Sequence, residues 1–232
     1  MADVDFDIEC WYQKYCGVRD IEPDMPDYPK CKKACPMYLG MNFLMQNCGM
    51  PDAYPYMIDL EPYEDDDLAF KRLFDIKEHI DEYVNNGKNL YISSLYQSSG
   101  KTTWSLKIMY RYFDKIWVGN GFNIRGYFLY VPKFLRKMKN FSYRDTREFK
   151  EIDYALEHAD LIIWDDITSK NLTESEMDLL DSYISERYMK KKSNIFNGKE
   201  VKDLKICLGE SLAGRLEKCE HILIREDYSE EE

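Results

Sequence analysis

Two rhythms of apolar residues run along this chain. Leu68, Phe70, Leu73, Ile76, Ile80 and Val84 recur three or four apart, which predicts one helix with a single apolar stripe, closed by Asn85-Asn86-Gly87. Directly afterwards, NLYISSLYQSSGKTTWSLKIMYRYF opens on a short β-rich apolar run, and the spacing of Trp104, Ile108, Met109 and Tyr112 predicts a further helix. Compact apolar runs at 127–131, 161–164, 193–198 and 221–224 predict more strands; Pro132 stops the first of these and opens a helix. The stretch LTESEMDLLDSYISERYMKKK predicts a long helix with Thr173 as N-cap and Glu176 three residues on, the pattern of a capping box. Strands alternate with helices, so the predicted fold class is α/β, a parallel sheet with helices on both faces. Such sheets bind ligands beyond the carboxyl ends of their strands.

Upstream of residue 68 the pattern weakens. LGMNFLMQN predicts a short amphipathic helix ending at Gly49-Met50-Pro51, and PDAYPYMIDLEPYEDDD, which mixes prolines with acids and keeps neither rhythm, reads as a linker. The chain therefore divides into a module at 1–52, a linker and helix at 53–87, and an α/β domain at 88–232.

Cysteine usage gives the first module its character. Cys10, Cys16, Cys31, Cys35 and Cys48 all lie early, whereas Cys207 and Cys219 stand alone near the end. The order Cys10-x5-Cys16-x14-Cys31-x3-Cys35 can wrap a tetrahedral thiolate site, each pair presenting both sulfurs to one zinc ion, although the first pair is wider than the usual two to four residues. Bound zinc would supply folding energy that so short a segment cannot draw from its own core. Reduced core cysteines and a redox pair are the competing readings. Cys48, at the end of the short helix, reads as a packed thiol.

Composition narrows the options. The 232 residues carry 32 Lys+Arg against 43 Asp+Glu, a net charge of −11, with 44% apolar and 15% aromatic residues. That mix fills a core and excludes wholesale disorder. No apolar run approaches the roughly 18–20 residues of a membrane span, and the start MADVDFDI is acidic, so the expectation is a soluble cytoplasmic protein with no membrane partner. The acidic balance also excludes a general nucleic-acid coat, leaving only local contact. One segment could supply it: Lys133, Arg136, Lys137, Lys139, Arg144, Arg147 and Lys150 face only Asp145 and Glu148, and Phe134, Phe141, Tyr143 and Phe149 are interleaved. Cations beside rings suit a single-strand groove. An amphipathic helix with its rings in the core is the alternative. Phe134 and Leu135 are expected to face the sheet, and Tyr143, beyond Asn140 in an expected loop, is the stacking candidate.

The β-rich run that opens NLYISSLYQSSGK leads into Ser98-Ser99-Gly100-Lys101-Thr102-Thr103 and then a helix, the order a phosphate-binding loop requires. Backbone N–H groups of such a turn surround phosphate oxygens, Lys101 reaches the terminal phosphates, and the Thr102 hydroxyl takes a Mg²⁺ position. The first glycine of the usual pattern is replaced by Leu95. Some sixty residues on, the strand at 161–164 ends in Asp165 and Asp166. Asp165 would serve the Mg²⁺ shell and Asp166 would orient or deprotonate water, whereas a surface turn after a strand is the plainer alternative. The two motifs together point to ATP with Mg²⁺.

In order, GKTTWSLK, GYFLYVPKFL, LIIWDDI, KSNIFNGK and LGESLAGRL resemble the series found in DnaC/DnaI-type helicase loaders, especially phage-encoded ones, over residues 88–228. The cysteine-rich module ahead of them is similar to the DnaI arrangement. The resemblance implies an AAA+ P-loop ATPase with an N-terminal zinc module. Such a protein binds a replicative hexameric DnaB-type helicase, delivers it to single-stranded DNA, and assembles in several copies on it. Departures from the family pattern are Leu95, Ser98, and Lys199 at the expected polar sensor position, with Asn197 two residues earlier. Ser211 replaces the first of two arginines, leaving Arg215 as a finger into a neighbouring subunit, with Arg187 as a second candidate. The chain runs only a few residues past 224, so no C-terminal lid is expected and neighbours would complete the site. These departures favour ATP binding over fast hydrolysis, and keep open a nucleotide-binding adaptor or inhibitor of a host replication protein. A small kinase-like enzyme is a third reading.

Overall fold

Five short strands, mostly buried on both faces, pair in parallel: β1 (Asn89–Ser94), β2 (Gly126–Tyr130), β3 (Leu161–Asp165), β4 (Ser193–Lys199) and β5 (Glu220–Leu223), in the order β2-β3-β4-β1-β5. They belong to a computed structural model that describes residues 36–51, 59–62, 66–96, 98–117 and 120–224. Near-continuous apolar runs such as Leu161-Ile162-Ile163-Trp164 fit a sheet covered on both sides. The helices are α1 (Pro36–Gln46), α2 (Asp67–Glu78), α3 (Ile80–Asn85), α4 (Lys101–Ile116), α5 (Val131–Met138), α6 (Arg147–His158), α7 (Glu174–Met189) and α8 (Leu204–Leu216).

Alternate strand residues point to two cores. Leu90, Ile92, Ile163 and Ile195 pack under α1–α4. Tyr91, Ile162, Trp164 and Phe196 pack under α5–α8. The described helices ahead of residue 88 are thus part of the same structure: Met41, Leu44 and Met45 of α1 and Leu73 and Ile76 of α2 join the first core. Beyond α1 the chain meets the sheet edge, where the Phe128 N–H donates to Cys48 O at 2.6 Å. Cys48 is fully buried, its thiol donating to Met45 O at 3.0 Å, and burial pushes its pKa up to about 12. It is a packed thiol.

The single helix expected over 68–84 is two. At His79 the backbone turns to φ −110°, ψ 27°, with both the His79 N–H and its ring nitrogen Nδ1 meeting Asp75 O. Leu68 falls outside the stripe and is 81% exposed. Cys10, Cys16, Cys31 and Cys35 lie outside the described residues. Among the described residues no group of three or more His, Cys, Asp or Glu is placed to hold a metal, and no helix is long and apolar enough to cross a membrane.

Candidate nucleotide site

At the carboxyl end of β1 the chain turns sharply into α4. Ser98 (φ 62°) and Gly100 (φ 83°) both adopt left-handed backbone there. The positive φ favours glycine at 100, and a Cβ there would also crowd Leu60 Cδ1 at 3.2 Å. The turn delivers the amino end of α4, with its unpaired N–H groups and positive dipole end, to the middle of the sheet. Lys101 Nζ donates to Tyr96 O at 2.9 Å and to the hydroxyl of buried Ser99 at 2.8 Å. Thr103 follows, half-buried, in the first turn of α4.

Thr102 and Asp165 meet across the gap between two elements, the Thr102 hydroxyl donating to Asp165 Oδ1 at 2.8 Å. The same oxygen accepts from Asn197 Nδ2 at 2.8 Å, and Asn197 Oδ1 in turn accepts from the Ser105 hydroxyl at 2.7 Å. Parallel pairing explains the placement: Trp164 is level with Phe196, which leaves Asp165 and Asn197 side by side at the strand ends. Burial raises the Asp165 pKa above the ordinary carboxylate value, opposed by the bonds from Asn197 and Thr102 and by the Lys101 charge, and reinforced by Asp166. Asp166 itself has left-handed backbone (φ 62°) and turns away from the strand, with the Tyr130 hydroxyl 3.4 Å from its Oδ2. A lysine, a hydroxyl and a buried carboxylate around a helix start form a hard-oxygen and cationic set suited to Mg²⁺ and phosphate.

Of the sequence-stated candidates, Ser98, Ser99, Gly100, Lys101, Thr102, Asp165 and Asp166 therefore converge. Three others are corrected. Asn197, not Lys199, is the polar strand-end residue in the site; Lys199 is exposed, and its carbonyl accepts from Thr168 Oγ1. A polar residue inside a buried strand such as SNIFNG is itself the signal, because burying an amide requires partners. Arg187 cannot serve a neighbour: it is 2% exposed, and its five donors go to Asn194 Oδ1 and to the carbonyls of Leu156, Ala159, Asp160 and Ser193. Tyr143 is not a free stacking ring: it is 7% exposed and packs edge-on to Phe149. The exposed ring of that segment is Phe141, at 90%. Arg215 lies outside this cluster, donating to Asp181 Oδ1 at 3.3 Å and Ser185 Oγ at 2.6 Å.

In the basic segment Phe134 and Leu135 face the core as expected. Lys137 pairs with Glu148, Lys139 with Glu176 and Arg147 with Glu151, whereas Lys133, Arg136, Arg144 and Lys150 are exposed and make no ion pair among the described residues.

No protein-family model and no curated protein matches this sequence. Solved structures do. The chain is similar to "Crystal Structure of the DnaI" (TM-score 0.57, 18% identity, covering 76% of this chain and 95% of that one). It is also similar to "Crystal structure of the DnaC helicase loader" (TM-score 0.55, 18% identity, 71% and 93%). AMPPCP-bound DnaA from Aquifex aeolicus aligns at TM-score 0.55 and 17% identity over 77% of this chain, which spans about half (51%) of that protein. At such identities the matches establish the fold alone: the five-stranded parallel α/β sheet, with its loop between β1 and α4, is the one those structures share.

Proposed function

We propose that this chain is an ATP-binding helicase loader, a protein that engages a replicative DnaB-type hexameric helicase and delivers it to single-stranded DNA. The observation that carries the reading is the Thr102–Asp165–Asn197 cluster beside Lys101 at the carboxyl ends of β1, β3 and β4. Mg²⁺ bound with ATP supplies charge neutralisation of the phosphates. In this reading Lys101 would contact the terminal phosphates, Thr102 and Asp165 would offer oxygens to the metal, and Asp166 would accept a proton from water. The likeness to DnaC and DnaI and the ordered motifs over 88–228 support the loader role; exposed Phe141 and the unpaired cations around it support contact with a single strand. Self-assembly on the helicase, with Arg215 leaving Asp181 to reach a neighbour, and one zinc on Cys10, Cys16, Cys31 and Cys35 belong to the same proposal.

The test has three parts. Lys101→Ala abolishes Mg·ATP binding, whereas Asp166→Asn keeps binding and loses turnover. The wild type co-migrates with a hexameric helicase in an ATP-dependent manner. Metal analysis finds one zinc per chain. Equal ATP binding by wild type and Lys101→Ala refutes the phosphate loop, and failure to co-migrate refutes the loader role. A second reading, an ATP-binding adaptor with little turnover, is favoured by Leu95, 55% exposed at the place of the first loop glycine, and by the engagement of Arg215 within its own chain.

A further inference from the structure

We propose that the cleft between the end of α1 and α6 binds residues 2–9 of this chain, ADVDFDIE, with carboxylates on its cationic wall and apolar side chains beside them. The cleft, of about 470 Å³, is lined by Gln46, Asn47 and Gly49, by Ile124 and Tyr127, and by one face of α6. No residue of the nucleotide site lines it, so its occupancy is independent of the ATP reading. On α6 the lining residues Arg147, Lys150, Glu151 and Tyr154 fall at i, i+3, i+4 and i+7, the spacing of a single helix face, while Ile152, Ala155 and Leu156 carry another face into the core.

Charge and pattern select the guest. Lys150 is exposed and makes no ion pair among the described residues, and Glu151, the one acid lining the cleft, already accepts from Arg147 at 2.7 Å. This wall is therefore cationic on a chain whose net charge is −11. Half-buried Ile124 and Tyr127 and the ring of Tyr154, 50% exposed, put apolar surface beside it, all within reach of a guest. A fitting segment carries acids on one side and apolar groups on the other. ADVDFDIE does so, because Asp3, Asp5, Asp7 and Glu9 alternate with Val4, Phe6 and Ile8, and successive side chains of an extended chain point to opposite sides. The exposed carboxamides of Gln46 and Asn47 offer both donors and acceptors, as peptide groups do. A phosphodiester strand brings acceptors only, and Glu151 on the same face would repel it.

Residues 2–9 lie outside the described residues, and residues 10–35 connect them to Pro36 at the start of α1. The 11 residues of α1 cover about 16 Å and bring the chain to the cleft, whereas the connection extends up to ~3.3 Å per residue and spans that length several times over. A tethered segment has an effective concentration on the order of mM, so a contact of modest intrinsic affinity is filled.

The experiment follows the polarisation of a fluorescein-labelled ADVDFDIE peptide at low salt without ATP. It is titrated with the full chain and with a full-chain variant whose own copy is blunted by Asp3→Asn, Asp5→Asn, Asp7→Asn, Phe6→Ser and Ile8→Ser. The peptide is expected to bind the blunted chain, and the wild type roughly tenfold more weakly, because the wild type's own segment fills the cleft. In the blunted chain Lys150→Gln weakens binding roughly two- to fivefold and Lys150→Glu roughly tenfold. Neither lowers the melting temperature, since Lys150 has no ion pair to lose among the described residues. A peptide with Asp3, Asp5 and Asp7 replaced by Asn, or with Phe6 and Ile8 replaced by Ser, does not bind. Absence of binding to the blunted chain, or undiminished affinity in Lys150→Glu, overturns the proposal. Equal binding by wild type and blunted chain overturns it too, a dimer in sedimentation then assigning the cleft to a second copy. Lys150-dependent binding of labelled oligothymidylate without binding of the peptide assigns the face to nucleic acid and likewise overturns it.

Discussion

Replacing Asn197 by alanine tests the logic of the site most directly. Asn197 is 1% exposed, and its amide donates to Asp165 Oδ1 at 2.8 Å while accepting from Ser105. A hydrogen bond to a charged acceptor contributes about 1.5–3 kcal/mol. Ser105 is not orphaned by the change, because its hydroxyl also reaches Lys101 O at 3.1 Å, so no second buried group is stranded. The net cost is about 2–3 kcal/mol, which for a domain of this size lowers Tm by roughly 5–10 °C. The pH dependence carries its own sign. The folded-state pKa of Asp165 is already raised by burial and would rise further without the Asn197 donor, so the variant binds its proton more readily than the wild type. The deficit is therefore full where pH lies above the raised pKa and Asp165 is charged, and shrinks as pH falls through that pKa towards the unfolded value. Thermal unfolding at neutral and acidic pH, with Mg·ATP titrations alongside, checks both parts. A variant that melts within about 1 °C of wild type at neutral pH, or whose deficit grows on acidification, would refute the reasoning.

Asp165→Asn keeps an oxygen for Thr102 and Asn197 and removes a buried charge, so it should raise the neutral-pH melting temperature of the nucleotide-free protein while abolishing Mg²⁺-dependent ATP binding; a lower melting temperature contradicts the assigned cost of that charge. Arg187→Met removes a donor from four carbonyls and the Asn194 amide oxygen and should cost about 3–5 kcal/mol in urea unfolding, against under about 1 kcal/mol for Arg215→Ala on the half-exposed α7–α8 contact. Burial would raise the Glu176 pKa, but both its oxygens take Lys170 Nζ at 2.8 Å and one takes the Thr173 N–H, which together hold it down at about 2. Glu176→Gln should therefore cost about 1 kcal/mol at neutral pH, with the penalty fading as pH falls from the ordinary glutamate value towards 2; an equal penalty near pH 3 argues against this pairing.

Much of the sheet was legible because β1, β3 and β4 are short apolar runs bounded by turn residues, and each lies where its run predicts. The loop residues and Asp165 were legible for a related reason: a glycine in left-handed backbone and a carboxylate closing a buried strand are local signals. What the sequence hid were choices made by distant partners. Arg187 sits on a helix among other charges, and only the fold reveals that α7 carries it over the carbonyls at the end of α6. Tyr143 follows a helix-breaking Asn140, yet the 3-10 turn over Phe141–Asp145 rolls it inward and Phe141 outward, a rotation no short-range period specifies. The break at His79, where the ring and the backbone N–H both meet the Asp75 carbonyl, interrupts an apolar spacing that runs unbroken through it.

The bond from Phe128 to Cys48 O bears on separability. β2 is one of the two outer strands of the sheet, and the turn after α1 accepts from an edge N–H that an outer strand would otherwise present to other chains. The same turn is wedged tightly, since a Cβ at Gly49 would come within 2.6 Å of Phe128 O. A protein cut at residue 88 to isolate the strand-and-helix segment would lose that cover together with Met41, Leu44, Leu73 and Ile76, opening one face of the sheet to water. The turn after α1 thus ties the first core directly to the strand that ends at Tyr130, beside Asp166, so that α1 and the site-bearing end of the sheet share one hydrogen-bonded frame.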